Sequence, residues 1–174
     1  DEALALQTKR MEAVAKECGV YQFRIAQSQQ ESDDLGAIRR GISSAIASLV
    51  PNRLGEDISV PRDAFPEAVR RIAAIAEKHK LTIAVYGHAG DGNIHPSILC
   101  DLSKPGEEER VHRAVEDLFD ATLSVGGTLS GEHGIGITKR PYIAKALGES
   151  GVKTLGAVKQ ALDPKGILNP GKIW

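Results

Sequence analysis

The chain is predicted to adopt an α+β fold in which helices cover an antiparallel sheet. Two apolar runs, residues 81–86 and 96–100, flank Asp91-Gly92, a dipeptide typical of hairpin turns because it tolerates positive φ. Helical periodicity alternates with such runs and is clearest over residues 106–125. A short connection joins the two central strands, whereas parallel strands need a long crossover, and this favours an antiparallel sheet.

Local patterns predict the remaining elements in chain order. Gly19 suits the end of a first helix, and Asp33 suits the N-cap of the second. Alternating apolar residues predict strands, whereas residues 51–57 are predicted as a loop. The predicted strands outside the hairpin are 20–26 and 58–60, and the predicted helices are 2–18, 33–49, 63–79, 106–125, 139–147 and 152–162.

Composition narrows the class of protein. The 174 residues are 41% hydrophobic and 26% charged, which is typical of one globular domain with a core. A net charge of -1 gives no support for nucleic-acid binding, and two cysteines are too few for a disulfide framework. No transmembrane run, signal peptide or dinucleotide-binding glycine fingerprint is present in the sequence, and a cytoplasmic location is expected.

A pair of histidines flanks the predicted turn. If Asp91 and Gly92 are the two loop residues, His88 lies directly opposite His95 on the same face of the hairpin. Two imidazoles presented by a stiff hairpin would form half of a metal site. The alternative is a structural role as two satisfied polar side chains.

A second polar segment, residues 126–136, contains five glycines around Glu132 and His133. Glycine allows a backbone to approach a ligand closely, so this segment is a site loop or an awkward turn. Glu132 could complete a His₂Glu set with one open coordination position, and His133 could act as a base beside it. Two solvated side chains on a glycine-rich loop are the alternative.

Three motifs stand in the order found in one protein family. They are His88 to Pro96 (HAGDGNIHP), Ser130 to Gly136 (SGEHGIG) and Asp163 to Lys172 (DPKGILNPGK). With these motifs the chain resembles the C-terminal domain of FAD-linked 2-hydroxy-acid oxidases and dehydrogenases, and most closely the flavin subunits of bacterial glycolate oxidases. The resemblance implies a ferredoxin-like sheet, with residues 1–174 as the substrate domain and an FAD-binding domain upstream.

The resemblance also implies roles for individual residues. A divalent metal, Zn, Mn or Fe, would be held by three ligands: His88, His95 and Glu132. His133 would be the base that removes the substrate hydroxyl proton. Arg39 would bind the substrate carboxylate and Asn169 would lie near the flavin, although the residues alone also suit a solvated helix face and a turn before Pro170.

The implied activity is oxidation of a small 2-hydroxy acid, glycolate or D-lactate, to the 2-oxo acid with hydride transfer to FAD. Members that act on hydroxyglutarate carry a Lys just before the position of Asp57, where this chain has Gly55 and Glu56. The absence of this Lys favours a monocarboxylate substrate. Alternatively, Arg53 could bind a second carboxylate in place of the Lys.

Two other functions suit the same residues. A metal-dependent hydrolase would use a His₂Glu site with an open position for water, and a non-catalytic ferredoxin-like module would only bind metal. The resemblance further implies partner oxidase subunits that carry electrons onward, through which the protein would associate with a membrane. The isolated chain is expected to be inactive, because most of the flavin site would lie upstream.

Overall fold

The structure is a computed structural model that describes residues 2–174. The chain forms two units, Asp1–Ser44 and Ala45–Trp174. Five helices accompany an open antiparallel sheet, which confirms the predicted α+β class.

The first unit is helical. Helix α1 spans Glu2–Glu17 and is followed by Gly19 with a φ of 75°, as predicted. The predicted strand over residues 20–26 is wrong, because the segment has no regular structure. A segment with alternating apolar and polar residues forms a strand only where a neighbouring strand supplies hydrogen bonds. Within residues 2–174 no strand pairs with residues 20–26.

Helix α2 spans Gln29–Ala47 and begins four residues earlier than predicted. The hydroxyl of Ser28 accepts the backbone N–H of Glu31 at 3.2 Å, and the Glu31 carboxylate accepts the N–H of Gln27 at 2.6 Å. These two bonds resemble a capping box, except that Glu31 accepts the N–H of the residue before Ser28. The Ser-x-x-Glu spacing was therefore the better start signal than Asp33.

The sheet is built around β4, Asn93–Cys100. Strand β3, Thr82–His88, pairs with one side of β4. Strands β1, Asn52–Gly55, and β2, Ile58–Ser59, pair with the other side. Residues 52–55 were predicted as a loop, and they form a strand instead because β4 offers them a partner.

Strands β1 and β2 follow one continuous register along β4. Gly55 pairs with Ser97 and Ile58 pairs with Ile94, so the residues between them oppose 95 and 96. Proline has no N–H, so Pro96 can supply only its carbonyl, which accepts the N–H of Glu56 at 2.8 Å. The ladder is interrupted there, and Asp57 lies directly opposite His95.

The hairpin register differs by two residues from the predicted one. His88 pairs with Asn93 and Tyr86 pairs with His95, so residues 89–92 form the connection. Since side chains alternate with a period of two, a shift of two residues keeps every side chain on its face. The predicted pairing of His88 with His95 is wrong, but their shared face is confirmed, with ring centroids 5.4 Å apart.

Gly92 accounts for the longer connection. Its φ is 74°, whereas Asp91 is not in the positive-φ region, so the two-residue type I′ turn does not form. The Gly92 carbonyl accepts the N–H of Val60 at 2.9 Å, and a Cβ on Gly92 would lie 2.0 Å from the Val60 carbonyl oxygen. Close packing against the Val60 backbone therefore sets the register of the hairpin.

Two helices of the second unit pack against one face of the sheet. Helix α3 spans Phe65–His79 and α4 spans Glu107–Ser124, close to the predicted bounds. Helix α5 spans Ile143–Leu162, and Gly148 has non-helical angles at the point where two helices were predicted. Apolar side chains of the sheet and of α3 and α4 form the core, among them Ile58, Ile72, Ile94, Ile98, Val111, Leu118 and Phe119.

We expect the substitution Asp117→Asn to destabilise the contact between α3 and α4. The Asp117 carboxylate accepts hydrogen bonds from His79 and from Lys78, and these bonds hold the pKa of Asp117 below its ordinary 3.8. A carboxyl with a lowered pKa stabilises the fold above its unfolded pKa, and this contribution is lost as the pH falls through the folded value. The substitution should cost about 1 kcal/mol at pH 7, allowing for partial exposure to water.

Urea unfolding at pH 7 and at pH 2.5 measures this effect, and the cost of Asp117→Asn should shrink at the lower pH. Glu109→Gln, on an exposed part of the same helix, is the matched control and should change little at either pH. An equal cost of Asp117→Asn at both pH values would contradict the assignment.

We expect Gly131→Ala to destabilise the loop that follows the core strands. A Cβ on Gly131 would lie 2.4–2.8 Å from the carboxamide atoms of the buried Asn93. Overpacking of this kind costs about 1–3 kcal/mol, to be measured as the unfolding free energy in urea. Gly90→Ala is the control, since a Cβ there meets nothing within 4 Å. Equal losses in the two variants would show that the Asn93 contact is unimportant.

Candidate functional site

Three predicted site residues converge on the sheet face opposite the core. His88 ends β3, His95 lies in β4, and Glu132 lies in the loop of residues 130–136. The Nε2 atoms of His95 and His88 lie 3.2 and 3.8 Å from Oε1 of Glu132. One donor atom from each residue lies within 4.8 Å of the other two.

These donor atoms fit a divalent metal ion. A tetrahedral ion with ligands at about 2.1 Å holds its ligand atoms about 3.4 Å apart. The two distances to Glu132, 3.2 and 3.8 Å, lie on either side of that value. Two imidazoles and a carboxylate suit zinc, iron or manganese. The three side chains could therefore hold a metal ion.

A buried carboxylate fixes the loop that carries Glu132. Oδ2 of Asp57 accepts the backbone N–H groups of Gly131, Glu132 and His133 at 2.8–2.9 Å and the hydroxyl of Ser130 at 2.8 Å. The Ser130 hydroxyl oxygen in turn accepts the N–H of Gly134 at 2.7 Å. The loop is folded around this one oxygen, which places Glu132 beside the hairpin histidines.

Asp57 is ionised at any pH near neutrality. Burial would raise its pKa, but the hydrogen bonds from His133, Ser130 and Glu132 lower it to about 2. The side chain of His95 is nearly buried, and that burial lowers its pKa against the opposing charges of Asp57 and Glu132. His95 is therefore a neutral imidazole at pH 7, the form that binds metal ions.

His133 stands beside the cluster. Its imidazole stacks on that of His95, with centroids 5.4 Å apart, and its Nε2 lies 3.7 Å from Oε1 of Glu132. The His133 side chain is 62% exposed, so it can reach a small molecule outside the sheet. Asp57, His95 and His133 form a second group whose donor atoms lie within 4.8 Å of one another.

The other two predicted site residues lie elsewhere in the chain. Arg39 belongs to α2, in the first unit. Asn169 has a φ of 49° in the C-terminal tail of the second unit, where the Asp163 carboxylate accepts the N–H groups of Ile167 and Leu168 at 2.9 Å. The structure therefore groups His88, His95, Glu132 and His133, and within residues 2–174 it shows no hydrogen bond from Asn169 to any of them.

Two further residues of the site were not predicted. The role of Asp57 depends on the pairing of residues 52–59 with β4, which the predicted loop over residues 51–57 does not include. Lys139 is buried and donates from Nζ to the carbonyl oxygens of Asp57 and Leu129 at 2.6 and 2.7 Å. The position of Lys139, seven residues after Glu132, gives no sequence signal for this role. Asp57 does carry a weak signal, because an acidic residue directly before an apolar strand needs hydrogen-bond donors if it is buried.

Known proteins resemble the chain over almost its whole length. The family model for the C-terminal domain of FAD-linked oxidases matches residues 1–173. The glycolate oxidase subunit GlcD of Bacillus subtilis is 39% identical over 166 residues, which cover 95% of this chain and 35% of that protein. The mitochondrial cytochrome D-lactate dehydrogenase of Arabidopsis thaliana is 31% identical, over 96% of this chain and 30% of that protein.

The D-2-hydroxyglutarate dehydrogenase of Stutzerimonas stutzeri is 34% identical, over 86% of this chain and 33% of that protein. The chain thus spans about a third of the length of the curated relatives it matches. None of the helices in the described part of the chain is long and apolar enough to cross a membrane. The match over residues 1–173 assigns the chain to the family of C-terminal domains of FAD-linked oxidases.

Proposed function

We propose that this chain is the substrate domain of an FAD-dependent oxidoreductase that converts a small 2-hydroxy acid, glycolate or D-lactate, into the 2-oxo acid. The observation that carries the proposal is the convergence of His88, His95 and Glu132 on one point of the sheet, in a chain of this family. Two imidazoles and a carboxylate suit the binding of an α-hydroxy acid through a divalent ion. The names of the relatives, glycolate oxidase subunit and D-lactate dehydrogenase, support the substrate class.

Different residues of this chain would bind the ion, accept a proton and bind the substrate. His88, His95 and Glu132 would hold the ion, and the exposed His133 would accept the hydroxyl proton of the substrate at its ring nitrogen. From the resemblance, Arg39 is proposed to bind the substrate carboxylate and Asn169 to lie near the flavin. When bound, the divalent ion would lower the pKa of the hydroxyl and the flavin would take up the hydride.

The domain would act together with an upstream domain and with partner subunits. The relatives are about three times longer than this chain, so we infer that an upstream domain carries most of the FAD site. Since a relative is named a subunit, partner subunits that carry electrons onward are part of the proposal. Glu56 stands where a Lys would receive a second carboxylate, and burial raises the pKa of Glu56 although the nearby Lys139 ammonium opposes that rise. An acidic group at that position favours a monocarboxylate substrate.

Metal binding and proton transfer can be separated by substitution in the full-length protein. His88→Ala and Glu132→Ala should each lower the metal content, because each removes one of three ligands. His133→Ala should keep the metal and reduce turnover by about 10²–10⁴-fold, as expected for loss of a general base. Elemental analysis and the rate of flavin reduction by glycolate or D-lactate measure the two effects.

The matched control is His112→Ala, an exposed histidine on α4, which should change neither quantity. Loss of metal in His133→Ala would make His133 a ligand and remove it as the base. Unchanged metal content in all three site variants would make the cluster structural. A colourless full-length protein with esterase or peptidase activity would favour a hydrolase instead.

A further inference from the structure

We propose that Asp57 is a positioning residue for the metal site, whose free oxygen accepts the Nδ1–H of His95 and thereby directs the His95 Nε2 lone pair toward the ion. The inference rests on the proposed function, since it concerns the same metal site. Oδ2 of Asp57 already holds the loop, and Oδ1 would have this separate role toward His95.

The strand register brings the two groups together. Asp57 opposes His95 across the interrupted ladder, and Oδ1 of Asp57 lies 3.8 Å from Nδ1 of His95. That distance exceeds a hydrogen bond by about 1 Å, so the proposed bond requires the imidazole and the carboxylate to move closer together. The other ring nitrogen, Nε2, is directed at Glu132, 3.2 Å away.

Both facing atoms need a partner. Oδ1 of Asp57 and Nδ1 of His95 are buried, and neither has a hydrogen-bond partner among residues 2–174. A buried polar atom without a partner costs about 1–3 kcal/mol, so two such atoms facing each other are most stable when they bond to each other. Four donors already bond to the other oxygen of Asp57, so this carboxyl group serves as an acceptor and the proton of the new bond belongs to Nδ1.

The tautomer decides whether His95 can bind a metal ion. A neutral imidazole carries one N–H, and a proton on Nδ1 leaves the lone pair on Nε2 free for coordination. Carboxylates that accept from the outer nitrogen of a ligating histidine fix this tautomer and raise its basicity, and their loss typically weakens metal binding by about 10–100-fold. Asp57 would act on the ion through His95 and on Glu132 through the loop.

The substitution Asp57→Asn distinguishes these two actions. The amide oxygen of Asn can still accept from the four donors of the loop, namely the Ser130 hydroxyl and the N–H groups of Gly131, Glu132 and His133. The amide NH₂ then faces Nδ1 of His95, which must become an acceptor, and the proton moves to Nε2. The variant preserves the loop anchor but reverses the tautomer.

The test uses the full-length flavoprotein, with zinc as the probe. Competition with a chelating dye should show about 10–100-fold weaker zinc binding in Asp57→Asn. Ser130→Ala is the comparison variant, because it removes one donor to Oδ2 and spares Oδ1, so it perturbs only the loop and should weaken zinc binding less than Asp57→Asn does. Equal losses in the two variants would reduce Asp57 to a loop anchor and overturn the inference.

A second measurement determines the tautomer of His95 in the unsubstituted protein. In zinc-loaded protein labelled with ¹⁵N-histidine, the signals of His95, assigned with His95→Gln, should show a protonated Nδ1 and a coordinated Nε2. Coordination through Nδ1 would overturn the inference and favour the group of Asp57, His95 and His133 as the ligands. Failure of the unsubstituted protein to bind zinc, manganese or iron would instead contradict the proposed function, and the inference with it.

Discussion

The carboxylate of Asp57 is the interaction on which the site depends. One of its oxygens gathers three consecutive backbone N–H groups and the Ser130 hydroxyl, so the loop of residues 130–136 can take up its shape only around this charge. These four charge-assisted hydrogen bonds offset the free-energy cost of burying the charged carboxylate. Two glycines of this loop, Gly134 and Gly136, have positive φ values of 80° and 57°, and Gly131 leaves room for the Asn93 side chain.

The position of Asp57 follows from the sheet. Pro96 cannot donate to the neighbouring strand, and the pairing of β4 with β1 and β2 is interrupted at Glu56 and Asp57, which lie opposite Pro96 and His95. The interruption lets Asp57 leave regular pairing while it stays opposite His95. The buried Lys139 donates from Nζ to the Asp57 carbonyl oxygen, so a cation lies near the charge of the carboxylate. Sheet, loop and the segment after the loop thus meet at one residue.

Local sequence patterns were sufficient for the parts of the fold that local chemistry determines. The sequence predicts the hairpin, the helices α3 and α4, and the shared face of His88 and His95. A hydrophobic period of 2 or 3.6 residues assigns each side chain to a face, and a shift of two residues in the strand pairing does not change that face. The hairpin register was not predicted correctly, because it depends on Gly92 packing against the backbone of Val60, more than thirty residues earlier. The role of Asp57 was hidden for the same reason, since its partners lie 73–76 residues away.

The central claim is that two histidines and one glutamate from a hairpin and a loop form one metal site. X-ray absorption spectroscopy at the metal edge of the full-length protein tests this claim most directly. The account predicts a first shell of nitrogen and oxygen at about 2.0–2.2 Å with multiple scattering from two imidazoles and the remainder from oxygen. A shell without imidazole scattering, or with one imidazole alone, would contradict it.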